Sequence, residues 1–202
     1  MKVKNDRLVA FNKNYILESA DKLFVAQGLN NTSMDQIARE AKLTKPTLYA
    51  YFKDKDEIYS TLVFDFMKNV LDIINYRKSY PFFDMAFHEI GEELLALALK
   101  YPLYFDGMVG YLNVEIEKDN TPQIYRDIYL VGNEINEALF ILVKMGKETG
   151  EISTDKDEDM LIFFLWGAII GIIKMCLSRN ENIKDKKELL HFSWARLLQS
   201  CK

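Results

Sequence analysis

Residues 32–55 read TSMDQIAREAKLTKPTLYAYFKDK, and this stretch constrains the fold more than any other. Ser33 can cap a helix, and Gln36 three residues on can reach back to close a capping box. Ile37, Ala38 and Ala41 then fall on one side, with the two alanines small enough to let another helix come close. After the turn Lys42-Leu43, Thr44 is a second N-cap, and Pro46 falls in the first turn, where its missing N–H costs nothing. Leu48 and Phe52 are four apart and pack back, which leaves Lys45, Thr47, Tyr49 and Tyr51 for the outside or the flank. Two short capped helices joined by a tight turn need support, so the remaining chain has to supply it.

That support reads as more helix. The chain has 202 residues but only 9 Gly and 4 Pro, with long unbroken runs rich in Leu, Ile, Lys and Glu, which favours an all-α protein. At 49% hydrophobic and 28% charged residues there is material for a sizeable core. Residues 1–10 are polar and basic and read as a mobile tail. From Asn12 the spacing of Ile16, Ala20, Leu23 and Phe24 predicts a helix, closed by Gly28 in the left-handed conformation. Asp54 and Glu57 form a second capping box before a helix carrying Ile58, Leu62, Phe66, Val70, Ile73 and Ile74. Further helices are expected over 82–100, after Pro102, from about Pro122 to Thr149 with Gly150 as its stop, from a Thr154/Asp157 cap to about Arg179, and from Asp185 onward.

Charge divides the chain. Residues 1–56 hold 10 Lys+Arg against 7 Asp+Glu, or +3, while residues 57–202 hold 16 against 23, or −7. A basic first quarter on an acidic body suggests that only the first part meets phosphate. The short helix after Thr44 suits the DNA major groove, about 12 Å wide and lined with donors, acceptors and thymine methyls.

The run over residues 32–59 resembles the DNA-binding signature of the tetracycline-repressor (TetR) family of transcription regulators. The resembling residues are Phe24, Gly28, Ile37-Ala38, Ala41, Thr44, Leu48-Tyr49, Tyr51-Phe52 and Lys55. The likeness covers roughly residues 10–70; beyond them only length and helical pattern agree. Lys42 departs from the family, which usually has glycine there, and a left-handed lysine costs roughly 1 kcal/mol.

The resemblance implies an all-α chain of about nine helices: a helix-turn-helix DNA-binding domain over 10–70 (motif about 33–52), then a ligand-binding and dimerisation domain over 71–202. It implies that Lys45, Thr47, Leu48 and Tyr49 front the recognition helix. Ser33 and Thr44 would hold phosphate oxygens at helix N-termini, and Tyr51 and Lys55 would anchor the DNA backbone. It also implies a small apolar or aromatic effector held in the body, whose binding shifts the fourth helix.

Aromatic residues crowd the middle of the body, and Phe83, Phe87, Tyr104, Phe105, Met108, Tyr111, Tyr125 and Tyr129 are the candidate pocket, with ordinary core as the competing reading. Glu89, Glu92, Glu93 and Glu115 would favour a cationic ligand if any points inward. His88 and Glu92 share a helix face, but two ligands are too few for a metal, so none is expected.

The run 161–173 is apolar nearly all round, which means burial on more than one side, and at 13 residues it falls short of a membrane span. Leu161, Phe164, Gly167, Ala168 and Gly171 there, with Trp194 and Leu197 on the last helix, are the candidate dimer interface; close packing within one subunit is the alternative.

The leading expectation is therefore a homodimeric, ligand-responsive repressor on a near-palindromic double-stranded operator, cytoplasmic and not bound to a membrane. Cys176 and Cys201 read as buried hydrophobes of a reducing compartment, and the N-terminus has no secretory signal. No glycine-rich phosphate loop, nucleophile elbow or carboxylate–histidine cluster is visible, so neither an enzyme nor a cofactor is expected. An activator, a ligand-independent regulator and a helical protein-interaction module remain as alternatives.

Overall fold

In a computed structural model the described residues are 2–111, 121–178 and 182–201, less the side chains of residues 2–6 and 183–184. Among them the chain forms nine helices. They fall into two compact units, Met1–Phe64 and Asp65–Lys202.

The first unit holds α1 (Lys2–Gln27), α2 (Met34–Glu40), α3 (Lys45–Tyr49) and the start of α4 (Lys55–Arg77). Ile16, Ala20, Phe24, Ile37, Ala38, Leu48, Phe52 and Ile58 are buried and make one small core. The expected tail at residues 1–10 is helical instead. Nothing between Lys2 and Asn12 breaks a helix, so α1 simply extends N-terminally, with Leu8 and Phe11 exposed. Gly28 closes α1 at φ +83°, and its N–H donates to the Phe24 carbonyl at 2.9 Å. At the start of α4 the Asp54 carboxylate accepts from the Glu57 N–H at 2.8 Å, while Glu57 accepts from the Lys53 N–H at 2.6 Å.

The second unit holds the rest of α4 with α5 (Phe83–Lys100), α6 (Pro102–Tyr111), α7 (Gln123–Glu148), α8 (Glu158–Ser178) and α9 (Ile183–Gln199). Its centre is α5, which packs against α6, α7, α8 and α9. The aromatics settle much of that core: Phe87 stacks on Trp194 with ring centroids 4.4 Å apart, and Phe83 leans on Phe87 at 5.1 Å. Arg77 at the end of α4 is buried and paired with Glu93 and, at 3.6 Å, with Glu89 of α5.

Helix starts in this unit differ from expectation in three places. The α5 N-cap position is Phe82, which makes no side-chain cap bond; instead the Glu151 carboxylate accepts from the Phe83 N–H at 2.7 Å and the Asp84 N–H at 3.1 Å. Asp157 rather than Thr154 caps α8, accepting from the Met160 N–H at 2.7 Å, because Thr154 lies one turn too early. Asn182 caps α9, accepting from the Asp185 N–H at 3.0 Å, so the helix starts before Asp185.

Helix α8 is long and apolar enough to cross a membrane, by length and composition only, with a mean hydropathy of 2.3 over its best window. In this fold Leu161, Leu165, Trp166, Ile169, Ile170, Ile173 and Cys176 are buried against the unit, and α8 packs on α5, α7 and α9. It is not buried all round, however. Phe163 is 84% exposed, and Phe164 and Met175 are also open.

Candidate nucleic-acid interface

The recognition unit is built by backbone bonds. Ser33 Oγ accepts from the Gln36 N–H at 3.3 Å and the Ser33 N–H donates to Gln36 Oε1 at 2.8 Å, which fixes the start of α2. At its other end the Leu43 N–H donates to the Ala38 carbonyl at 2.8 Å and the Lys42 N–H to the Arg39 carbonyl at 3.1 Å. That pair of bonds is a Schellman closure with Lys42 as the left-handed residue, at φ +51°. The turn thus keeps the geometry glycine would give, with lysine bearing the strain.

Thr44 then restarts the chain. Its Oγ1 accepts from the Thr47 N–H at 3.3 Å and lies 2.8 Å from Thr47 Oγ1, and Pro46 occupies the first turn of α3. Leu48 is 0% exposed and ties α3 to the core. It packs back as its spacing from Phe52 predicts, so of the four residues placed at the front of the recognition helix Leu48 is the one that does not face outward.

The other candidates divide by what they touch. Ser33, Thr44, Lys45 and Tyr49 are exposed, Tyr49 at 52%, and Thr47 is half-buried. Lys45 Nζ pairs with Asp35 Oδ2 of α2 at 2.6 Å, an exposed pair of the kind worth little in water and readily exchanged for a phosphate. The Tyr51 hydroxyl accepts from Asn12 Nδ2 at 2.8 Å, and Lys55 Nζ donates to the Leu29 carbonyl at 2.6 Å. Both therefore brace the unit from inside. An ammonium carries three donors, so Lys55 retains capacity for a further acceptor. The Asp35, Asn12 and Leu29 partnerships went unforeseen, since the sequence gives no sign of contacts between helices.

The second unit contains a cavity of about 200 Å³ between α4, α6, α7 and α8. Met108, Tyr111, Tyr125 and Tyr129 line it as expected, together with Met67, Asn133, Asn136 and Trp166, which were not foreseen. Phe83, Phe87, Tyr104 and Phe105 do not: all four are buried, the first two in the stack on Trp194 and Phe105 against Phe66 at 6.4 Å between centroids. They are core. Among the described residues, no charged side chain lines the cavity. Glu89 and Glu93 are turned to Arg77, and Glu92 to His191 and Lys187, so none serves as an inward anion; Glu115 lies outside the described residues. Partial burial pushes the Glu92 carboxyl up, but hydrogen bonds from His191 and Lys187 outweigh it and hold it below the usual carboxylate range.

An open groove of about 930 Å³ runs between α8 and α9, lined by Phe164, Ala168, Gly171, Ile172, Met175 and Leu197 among others. A Cβ added at Gly167 or Gly171 would meet nothing within 4 Å, so neither glycine serves packing among the described residues. Leu161 and Trp194, expected on this face, lie inside the unit at 4% and 2% exposure, Trp194 stacked on Phe87 of α5.

Comparison with known proteins agrees with this geometry. The sequence model described as "Bacterial regulatory proteins, tetR family" matches residues 16–62, which include all of α2 and α3. The negative transcriptional regulator IcaR of the biofilm operon icaADBC of Staphylococcus aureus is 25% identical over 159 residues, covering 76% of this chain and 80% of IcaR. Among solved structures, a transcriptional regulator of the TetR/AcrR family from Thermobifida fusca superposes with a TM-score of 0.75 at 23% identity, over 94% of this chain and 98% of that one. The transcriptional regulator FadR of Bacillus subtilis, solved in complex with stearoyl-CoA, gives 0.71 at 18% identity, over 93% and 98%.

Proposed function

We propose, from the premise that this chain belongs to the TetR family of bacterial transcriptional regulators, that it is a homodimeric repressor which a small molecule releases from a near-palindromic operator. The observation that carries the reading is the recognition unit: a capped α2, a Schellman turn and a capped α3 whose buried Leu48 leaves Thr44, Lys45, Thr47 and Tyr49 facing outward. Lys45 and Tyr49 supply a cation and a flat hydrogen-bonding ring for base edges and phosphates, while the Ser33 and Thr44 helix starts donate to phosphate oxygens. Tyr51 and Lys55 set the angle of the unit and lend their spare donors to the DNA backbone. Repression rather than activation follows the relative IcaR, a negative regulator.

Two copies pair through the α8–α9 groove, where Gly167, Ala168 and Gly171 let a second α8 approach closely. Pairing sets two α3 helices into successive major grooves about 34–36 Å apart. The effector enters the cavity of the second unit. Among the described residues, its lining of Tyr111, Tyr125, Tyr129, Asn133 and Asn136 hydroxyls and amides around Met and Trp surfaces suits a small single-ring molecule. Stearoyl-CoA, the ligand of FadR, carries a long chain that a cavity of about 200 Å³ does not hold. The protein acts by binding, in the cytoplasm, rather than by turnover.

A gel-shift titration on the DNA flanking its own gene tests this. Selective binding that weakens steeply with salt, and is lost in Lys45→Ala with Tyr49→Ala, is expected. Salt-insensitive binding, or binding kept in that double variant, refutes it.

A further inference from the structure

The chain has two histidines, and the fold brings both to one place. His88 and Glu92 stand one turn apart on α5, and His191 reaches them from α9. The imidazole centroids of His88 and His191 are 4.4 Å apart with the rings tilted by 44°. His191 Nε2 lies 2.6 Å from Glu92 Oε1. A ligating atom from each of the three falls within 4.8 Å of the other two, and all three residues are half-buried. Sequence spacing gives only the α5 pair; the third donor comes from 99 positions beyond Glu92.

Three features make this more than an ion pair. The two imidazoles are in ring contact, which brings nitrogen donors from two different helices to one point. His88, among the described residues, has no hydrogen bond to its ring, so an ordinary His191–Glu92 pair leaves its approach unexplained. Glu92 is also oriented from behind, because Lys187 Nζ holds its other oxygen, Oε2, at 3.2 Å and leaves Oε1 toward the rings. Two imidazole nitrogens and one carboxylate oxygen form a mixed set that suits Zn²⁺ or a neighbouring transition ion, whereas Mg²⁺ and Ca²⁺ prefer oxygen alone. In a tetrahedral site with bonds of about 2.0–2.2 Å, the ligand atoms stand roughly 3.3–3.5 Å apart. Closing the site asks the three half-buried side chains to bring their ligand atoms to that spacing from separations within 4.8 Å.

We propose that His88, Glu92 and His191 form a transition-metal site of the Zn²⁺ class that staples α9 to α5, with the fourth position open to water or an exogenous ligand. Helix α9 is one wall of the open groove, so the ion would rigidify that wall. The site stands whether or not the chain binds DNA.

The test uses the full chain, free of any affinity tag and stripped with EDTA. Because only His88 and His191 carry imidazoles, their NMR resonances in the unmodified protein report on this site alone. Zn²⁺ is expected to shift both at one equivalent per chain and to raise Tm, Co²⁺ to give a visible ligand-field band, and Mg²⁺ to do neither. His88→Gln and His191→Gln should each abolish the Co²⁺ band while keeping the helical circular dichroism. Imidazole signals unmoved by Zn²⁺, an equal response to Mg²⁺, or an unchanged Co²⁺ band in the double variant would each overturn the proposal. Should a variant not fold, the NMR titration of the unmodified chain decides.

Discussion

Lys42→Gly should stabilise the recognition unit. Lysine at φ +51° carries the cost of an L-residue in the left-handed region, about 1–2 kcal/mol. Its side chain is exposed, so no packing is lost with it, and both Schellman bonds are made by backbone that glycine retains. Glycine gives back about 0.4–1 kcal/mol through the greater freedom of the unfolded chain. The net gain is therefore about 0–1.6 kcal/mol, centred on ~0.8 kcal/mol. Lys42→Ala is the control, since it removes the same charge but keeps a Cβ in the strained conformation. The two variants should differ by about 1 kcal/mol, or about fivefold in an opening equilibrium. Both tryptophans lie in the second unit, so fluorescence would miss the change. Amide hydrogen exchange at Ile37 and Leu43 reads the right unit directly. Equal protection in the glycine and alanine variants would falsify the strain argument, as would slower exchange in alanine than in glycine.

Leu48→Ala and Tyr49→Ala, adjacent on α3, should separate fold from function. The first empties a fully buried site and should cost about 2–5 kcal/mol in urea unfolding; the second, half exposed, should change stability by less than about 0.5 kcal/mol yet weaken operator binding in gel shifts. Glu151→Gln should fray the start of α5, because an amide is a poorer partner than a carboxylate for the Phe83 and Asp84 N–H groups; faster exchange at those two amides, with the α5 centre unchanged, is the readout. Glu158 is held below the usual carboxylate range by a backbone hydrogen bond at the start of α8 and by Lys147. A depressed folded pKa gives stability that is present above the unfolded value and lost as pH falls through the folded one. Glu158→Gln should thus be less stable than the parent at neutral pH and equal to it in acid, and a gap independent of pH would rule this out.

The sequence declared its local structure well where local chemistry decides it. Ser33 with Gln36, Thr44 and Gly28 each act through neighbours within four residues, and the helix ends they mark are found where expected. Lys42 could be read as left-handed for the same reason, since the turn admits one solution. What failed depended on distance in sequence. The i, i+4 spacing of Leu48 and Phe52 separated the buried anchor from the exposed Tyr49, but nothing local showed that Lys45, Tyr51 and Lys55 would be tied to Asp35, Asn12 and Leu29. Phe83 and Tyr129 looked alike as aromatic candidates, but one stacks in the core and the other borders a cavity. The start of α5 was placed without its true cap, because Glu151 follows two helices later. His191 joined His88 and Glu92 only through the packing of α9 on α5, a relation no spacing rule contains.

The Glu151 clamp also bears on the order in which the second unit forms. A helix that carries its own cap can close its first turn as soon as it nucleates, within about a microsecond. Helix α5 has no such cap at Phe82, and its first N–H groups wait for a carboxylate 68 positions along the chain. Its leading turn is therefore a late event, completed only after α6 and α7 have folded back and the segment after Gly150 has arrived. Since α5 is the helix on which the others pack, its centre can assemble early while its start stays open. Mutations at Glu151 should accordingly speed unfolding and leave the folding rate nearly untouched.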